Sequence, residues 1–412
     1  MDVPVRKTRA VIDLDAIEWN IHTLWERAGG DKRYMVLLKA DAYGHGNVAV
    51  GKLAEELGVW AGGVAALEEV EHLRSNGVEL PLVLLEDLFT DEIAPALERD
   101  VRFTVSTHEY ARRLSEEASR MKTKALVHVN IDTGMGRLGV RAAEAVRMIR
   151  DVASLERIEI EGLYTHFPIA DEAEKEFSYA QIRRFEEVTA ELEAAGIRPE
   201  FLHAANSGAV LDFPEASAFS LIRPGVSTFG MYPSGDVDHS VPLSEARTLK
   251  SSLIKVSEFP EGASVGYGRT FITTRPSVIG VLPVGYGDGF IRDYSSNAEA
   301  VVHGTRVPVV GRVSMDMITV DLTDLPEKAR VGDEAVLMGS QEWNGRNASV
   351  SSEELAERAG TITYEVTCLI GKRVPRLYFY RGNEVGIESL ARTLYPERSF
   401  LHDRKSGEGE EG

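Results

Sequence analysis

Eight short apolar runs, spaced through the first 225 residues and separated mostly by charged amphipathic stretches, restrict the fold of this chain most. They are YMVLLKA (34–40), AGGVAAL (61–67), PLVLLE (81–86), VRFTVS (101–106), KALVHVNI (124–131), IEIEGLYTHF (158–167), EFLHAAN (200–206) and SLIRPG (220–225). Stretches between them, such as EEVEHLRSNG and FSYAQIRRFEEVTAELEAAG, have helical spacing, and the second ends at a glycine suited to a helix C-cap. The alternation predicts an α/β fold, a parallel (β/α)8 TIM barrel, with a doubly wound open sheet as the alternative. After about residue 243 the segments become β-branched and are divided by Gly, Pro, Asp and Asn, as in SVIGVLPVGYG and EAVVHGTRVPVVGRV. That change predicts a separate, mostly antiparallel β domain. The expected division is 1–242 for the barrel, 243–388 for the β domain and 389–412 for a disordered acidic tail.

Composition narrows the function. A net charge of −19 argues against nucleic-acid binding, which needs a basic surface. The one cysteine, Cys368, excludes internal disulfides and reads as a small core residue. The ten histidines are scattered, with no H-E-x-x-H and no G-x-x-x-x-G-K-[ST], so neither a metal site nor a phosphate loop of that type is expected. No run approaches the ~18 apolar residues of a membrane span. The N-terminus lacks the apolar stretch of a signal peptide, so a cytoplasmic protein is expected.

In such a barrel, functional groups gather at the C-terminal ends of the strands. That rule collects Lys39 after the first run, Asp132 to Arg137 after the fifth, His166 at the sixth, Asn206 and Ser207 after the seventh, and Arg223 at the eighth. An amine at a strand exit can condense with an aldehyde cofactor, usually pyridoxal phosphate; the plain alternative is a snorkelling lysine. The Ser207 hydroxyl and the N–H groups of Gly225 and Val226 suit a phosphate, with glycine permitting close approach. Arg223 could address the pyridine nitrogen as a permanent donor, keeping the ring a weak electron sink and its carbanion short-lived. Singly, Arg223 reads as an ion-pair partner and His166 as a core histidine. Their coincidence at one barrel face favours a site.

The segments LLKADAYGHG, IDTGMGRLG, EGLYTHF, HAANSGA, IRPGVSTFG, SVGYGRTF, VLPVGYGDGF, GRVSMDM, AGTITYEV and RVPR follow one another in the order found in alanine racemases. The chain resembles that family over roughly residues 8 to 380. The resemblance implies pyridoxal 5'-phosphate carried covalently by Lys39, with Lys39 and Tyr267 as the two catalytic bases. It implies cofactor contacts from Tyr43, His166, Asn206, Ser207, Arg223, Gly225, Val226 and Tyr364. Arg137 and Met315 would meet the substrate carboxylate, and Tyr286, Arg292, Arg312 and Asp316 would line the route into the site. Tyr267 and Met315 would come from the other subunit of a homodimer with shared active sites. The expected reaction interconverts L- and D-alanine, one base per face of the substrate, supplying D-alanine for bacterial peptidoglycan.

One position departs from the family. Where many members carry a carbamylated lysine beside the conserved arginine, this chain has Asn130, which cannot form a carbamate. A chloride held between Asn130 and Arg137 is the expected substitute. Crowding by Tyr364 and Tyr267 predicts alanine as preferred substrate, serine as slower, and lysine or arginine as disfavoured. The competing readings are a broad-specificity racemase, a non-catalytic pyridoxal phosphate carrier and a decarboxylase. The last two fit poorly with a β domain bearing Tyr267 and with Arg223 at the ring position.

Overall fold

The computed structural model describes residues 4–397, and all eight apolar runs form strands of one closed barrel. After a first strand, β1 (Arg9–Asp13), come β2 (Arg33–Leu37), β3 (Ala61–Val64), β4 (Leu82–Leu84), β5 (Val101–Val105) and β6 (Ala125–Asp132). A two-residue strand β7 (Val140–Arg141) adds to the edge of β6, and β8 (Ile158–Tyr164), β9 (Phe201–His203) and β10 (Leu221–Ile222) finish the barrel. Neighbours pair in parallel around the ring, and β10 closes on β2 through Leu221 with Arg33. Closure excludes the open sheet.

Local chemistry starts the outer helices. Asp13 caps helix 14–27 by accepting the Ala16 N–H at 3.1 Å, and Thr107 caps helix 108–121 through Tyr110 N–H at 3.2 Å. Glu69 reaches back over its own helix start to Ala65 N–H at 2.8 Å. Small residues in β3 let the end of β2 pack: a Cβ on Gly62 would stand 2.7 Å from Leu38, and one on Gly63 2.7 Å from Leu37.

The rest of the described chain is mostly antiparallel, with its largest sheet built around β11 (Arg247–Ser252) and the strand 334–343. Two features differ from the sequence expectation. Strand β1, counted with the barrel, lies inside this second sheet, antiparallel to β11 and parallel to the strand 376–380. Its alternating burial suits a sheet with one covered face, and that period is too short to assign to a domain by sequence. The first residues of the segment expected as a tail are also ordered. Thr393 and Leu394 pair with Glu388 and Ile387, Pro396 is buried, and Tyr395 packs edge-on against His72. Residues 398–412 of that segment lie outside the described residues.

Candidate active site

The barrel's C-terminal rim is organised by the turn that carries Lys39. Strand β2 ends at Leu37, and Ala40, Asp41, Ala42 and Tyr43 then all adopt left-handed backbone, with φ between 51° and 57°. For non-glycine residues this costs about 1–2 kcal/mol each. Sequence reasoning anticipated a small turn here but not its hand. The turn is held from several sides. Glu69 accepts Ala40 N–H at 2.6 Å, and Asp41 accepts Asn47 N–H at 3.0 Å while pairing with Arg376 at 3.2 Å. The buried His45 ring contacts the carbonyls of Ala42 and Tyr43 through Nδ1, at 3.1 and 3.0 Å. Arg247 and Arg376 both reach the Gly44 carbonyl. Strain concentrated at a functional turn and supported by its surroundings is a mark of pre-organisation.

Lys39 itself is partly buried. Burial lowers its ammonium pKa, the charge of Arg137 lowers it further, and Glu86 and Glu69 oppose the shift. Arg137 stands exposed in the 133–139 loop, which Asp132 shapes by accepting Gly134 and Gly136 N–H at 2.9 and 3.0 Å. The same loop passes over Asn130, buried at the end of β6: a Cβ on Gly139 would stand 2.9 Å from its side-chain oxygen.

Arg223 is buried just beyond β10. Its Nη2 donates to Thr165 O and meets His166 Nδ1 at 3.3 Å; its Nη1 meets His203 Nδ1 at 3.2 Å. The guanidinium also lies 5.3 Å from the Tyr164 ring centroid. Burial, then the charges of Arg223, Arg137 and Lys39, push the His166 pKa down to about 3. His166 is therefore neutral and accepts from Arg223.

A cradle of donors sits beside this cluster. Ser207 Oγ accepts Gly225 N–H at 2.8 Å and Ser227 N–H at 3.2 Å. A Cβ on Gly225 would stand 2.8 Å from the Tyr43 hydroxyl, so only glycine leaves this approach open. Val226 opens a 3-10 turn (Val226–Phe229), where its N–H has no partner within the turn. Asn206 caps the short helix 207–212 through Ala209 N–H at 3.0 Å and touches Phe167 O at 3.4 Å. Tyr364 reaches the rim from helix 363–368 of the second half, its ring 5.9 Å from that of Tyr43. Two phenols, a hydroxyl and backbone N–H groups around a site no Cβ fills match the donors a phosphate requires. With Lys39 and Arg223 alongside, the residues fit pyridoxal phosphate.

The remaining expected site residues lie elsewhere. Tyr267 is 71% exposed in a tight turn (Tyr267–Arg269), with Arg312 packed against Gly268. Met315 is 53% exposed, and its carbonyl accepts Gly287 N–H at 2.9 Å. Asp316 pairs with Arg373 at 2.7 Å, Tyr286 donates its N–H to Ser314 O at 3.1 Å, and the side chains of Tyr286 and Arg292 are exposed. No hydrogen bond or ring contact among the described residues joins Tyr267 or Met315 to Lys39. Cys368, expected in the core, is exposed: Val366 and Thr367 take the buried side of its short helix. Glu69, Asp41, Arg376 and His203 were missed because their roles depend on residues distant in sequence. No group of three or more metal-ligating side chains among the described residues is placed to hold an ion.

A closed parallel barrel with a strained lysine turn and an anion-accepting cradle, completed by a tyrosine from a β domain, defines a two-domain barrel enzyme. The chain belongs to the alanine racemase family. It matches that family's N-terminal domain over residues 12–233 and its C-terminal domain over residues 246–378. It is 40% identical to alanine racemase 2 of Caldanaerobacter subterraneus subsp. tengcongensis, over 93% of this chain and 98% of that one. It is 39% identical to the alanine racemase of Halothermothrix orenii, over 92% and 98%. The alanine racemase of Clostridium difficile 630 superposes with a TM-score of 0.88 at 35% identity, covering 94% and 99%. That of Bacillus anthracis, solved with bound L-Ala-P, does so with 0.85 at 32% identity, covering 93% and 98%.

Proposed function

We propose that this enzyme interconverts L- and D-alanine using pyridoxal 5'-phosphate held on Lys39, in a homodimer whose two sites each draw residues from both subunits. The observation that carries this is a division of the site. The cofactor-holding groups converge on one barrel rim, while Tyr267 and Met315 stand exposed without a partner on that rim. A second copy would bring its own exposed Tyr267 to the open face of the first.

When bound, the cofactor supplies an electron sink that acidifies the Cα–H of an attached amino acid. Ser207, Tyr43, Tyr364 and the N–H groups of Gly225 and Val226 would anchor its phosphate. Arg223 would donate Nε–H to the ring nitrogen, since its terminal nitrogens are engaged by His203, Thr165 and His166. Lys39, as a neutral amine, would take the Cα proton of the D-enantiomer. Tyr267 of the second copy would serve the L-enantiomer from the opposite face. His166 and Arg223 would assist by stabilising the phenolate. Arg137 and Met315 would orient the substrate carboxylate, and Tyr286, Arg292, Arg312 and Asp316 would line the approach.

Tyr364 and the second copy's Tyr267 would leave room for a methyl side chain, so Tyr364→Asn is expected to raise activity on serine relative to alanine. A chloride between Asn130 and Arg137 would replace the carbamate of other members. The barrel and β domain would divide near residue 242, and the enzyme would work in the cytoplasm, feeding D-alanine to peptidoglycan. No helix among the described residues is long and apolar enough to cross a membrane.

Exchange of the Cα proton of each alanine enantiomer in deuterated water tests the assignment. Lys39→Ala should abolish abstraction from D-alanine and Tyr267→Phe abstraction from L-alanine. Equal losses on both enantiomers would remove the two-face assignment. Mixing the two variants should restore activity if sites are shared between copies, because a mixed dimer then holds one intact site.

A further inference from the structure

Arg223 heads a file of hydrogen bonds that runs down through the barrel. Its Nη1 meets His203 Nδ1 at 3.2 Å, His203 Nε2 meets His128 Nδ1 at 2.9 Å, and His128 Nε2 meets Glu161 at 3.0 Å. The same carboxylate oxygen pairs with Arg102, the second residue of β5, at 3.4 Å. His128 and His203 are completely buried.

The file has one self-consistent polarity. An arginine offers only donors, so His203 Nδ1 must present a lone pair. A neutral His203 then carries its proton on Nε2 and donates to His128 Nδ1. His128 in turn carries its proton on Nε2 and donates to the Glu161 carboxylate. Reversing the order would set an N–H of His203 against an N–H of Arg223. Burial lowers the pKa of both imidazoles, and for His128 it outweighs the pull of Glu161. Each ring therefore holds a single proton.

The backbone is shaped around this file. Along the β6–β8 pairing, Val127 faces Ile160 but His128 faces Gly162, so Glu161 is the extra residue of a bulge. Bulges re-aim side chains, and this one leaves the Glu161 carboxylate on His128. Gly162 gives the ring its space: a Cβ there would stand 2.3 Å from His128 Nδ1. A carboxylate serving only its ion pair with Arg102 would require neither feature.

We propose that Glu161 is a positioning residue for Arg223, acting through His128 and His203. By accepting at the far end it fixes both imidazole tautomers, so a lone pair faces the guanidinium and holds Nη1. The Nη2 side is already held by Thr165 and His166, which leaves Nε–H, beside the second Nη1 proton, for a ligand. The inference rests on the reading that this ligand is the cofactor's ring nitrogen.

The test uses the full-length protein with histidines labelled by 15N, with and without pyridoxal phosphate, and the variants Glu161→Met and Glu161→Gln. In wild type, the spectrum should show His203 protonated at Nε2 and bare at Nδ1 in both states. Glu161→Met removes the acceptor. It should mix the tautomers, shift the visible absorption of bound cofactor and lower kcat about 10-fold, the scale of losing an outer supporting partner. KM for alanine should change less than about twofold, as expected when ground-state binding is spared. Glu161→Gln keeps an acceptor and should stay within about twofold of wild type, a difference a mere ion pair with Arg102 would not make. A proton on His203 Nδ1 in wild type, an unchanged Glu161→Met, or a Glu161→Gln as impaired as Glu161→Met would each overturn the proposal. The wild-type spectrum decides the polarity even if Glu161→Met fails to fold. If Arg223→Gln leaves the cofactor's absorption unchanged, the ring-nitrogen reading fails instead, whatever the tautomers show.

Discussion

Glu69 accepts the backbone N–H of Ala40, the residue after Lys39, at 2.6 Å. The lysine turn is thereby tied to the helix start of the next β/α unit, where Glu69 also holds Ala65 and Ala66. Glu69→Ala removes the acceptor for all three. The expected cost is about 1 kcal/mol in urea unfolding, because the exposed turn can rehydrate. Pyridoxal phosphate should also be lost faster on dialysis, as the left-handed turn relaxes. Cofactor retention equal to wild type would show that the tie is dispensable.

Gly46 follows that turn with φ of 92°, and a Cβ there would lie 1.9 Å from the Tyr378 hydroxyl. Gly58 also has positive φ, at 72°, but nothing within 4 Å. Gly46→Ala should therefore cost well over the roughly 1 kcal/mol of backbone strain expected at Gly58→Ala. Thermal unfolding of the pair separates collision from strain; equal losses would mean that Tyr378 simply moves aside.

Arg137 lowers the Lys39 pKa, second only to burial. A lower pKa gives more neutral amine at a given pH, so removing the Arg137 charge should raise the pKa and reduce the reactive fraction. In the apoprotein, the pH midpoint for modification of Lys39 by an amine-selective reagent should move upward in Arg137→Ala. Peptide mass spectrometry reads it directly. A downward or absent shift contradicts the electrostatic coupling.

His45, His128, His166 and His203 all have lowered folded-state pKa values, with burial the first cause in each. The unfolded chain takes up protons near the ordinary histidine pKa of about 6.5, whereas the folded protein does not. Their stability is thus fully present above that value and falls as pH drops below it, by about 1.4 kcal/mol per pH unit for each group. The urea midpoint should decline steeply between pH 7 and pH 5. A flat midpoint across that window would show that these rings protonate without unfolding.

Asn130 is buried beneath the loop that carries Arg137. A crystal grown with bromide in place of chloride should show an anomalous peak between the two residues. Asn130→Asp should remove that peak by repelling the anion, and activity should lose its dependence on halide. No peak beside Arg137 in the parent protein would eliminate the halide.

Eight apolar runs at barrel spacing, and the lysine, serine and arginine at their ends, were legible because a strand's period and its exit are local properties. Lys39, Ser207, Gly225 and Arg223 reach one rim because each ends a parallel strand of the same ring. Cys368 and the segment 389–397 were misread because side-chain exposure and a short hairpin both depend on what lies opposite.

Strand length, helix spacing and motif order thus point to a parallel α/β architecture and to the family from the chain alone, since each is written in neighbouring residues, whereas closure of the ring is seen only in the structure. Folding alone decides that β1 joins the second sheet, that four consecutive residues after Lys39 turn left-handed, and that Glu161 bulges toward His128. Those outcomes balance strain or an extra residue against contacts with side chains tens to hundreds of positions away. Such contacts exist only once the barrel has closed.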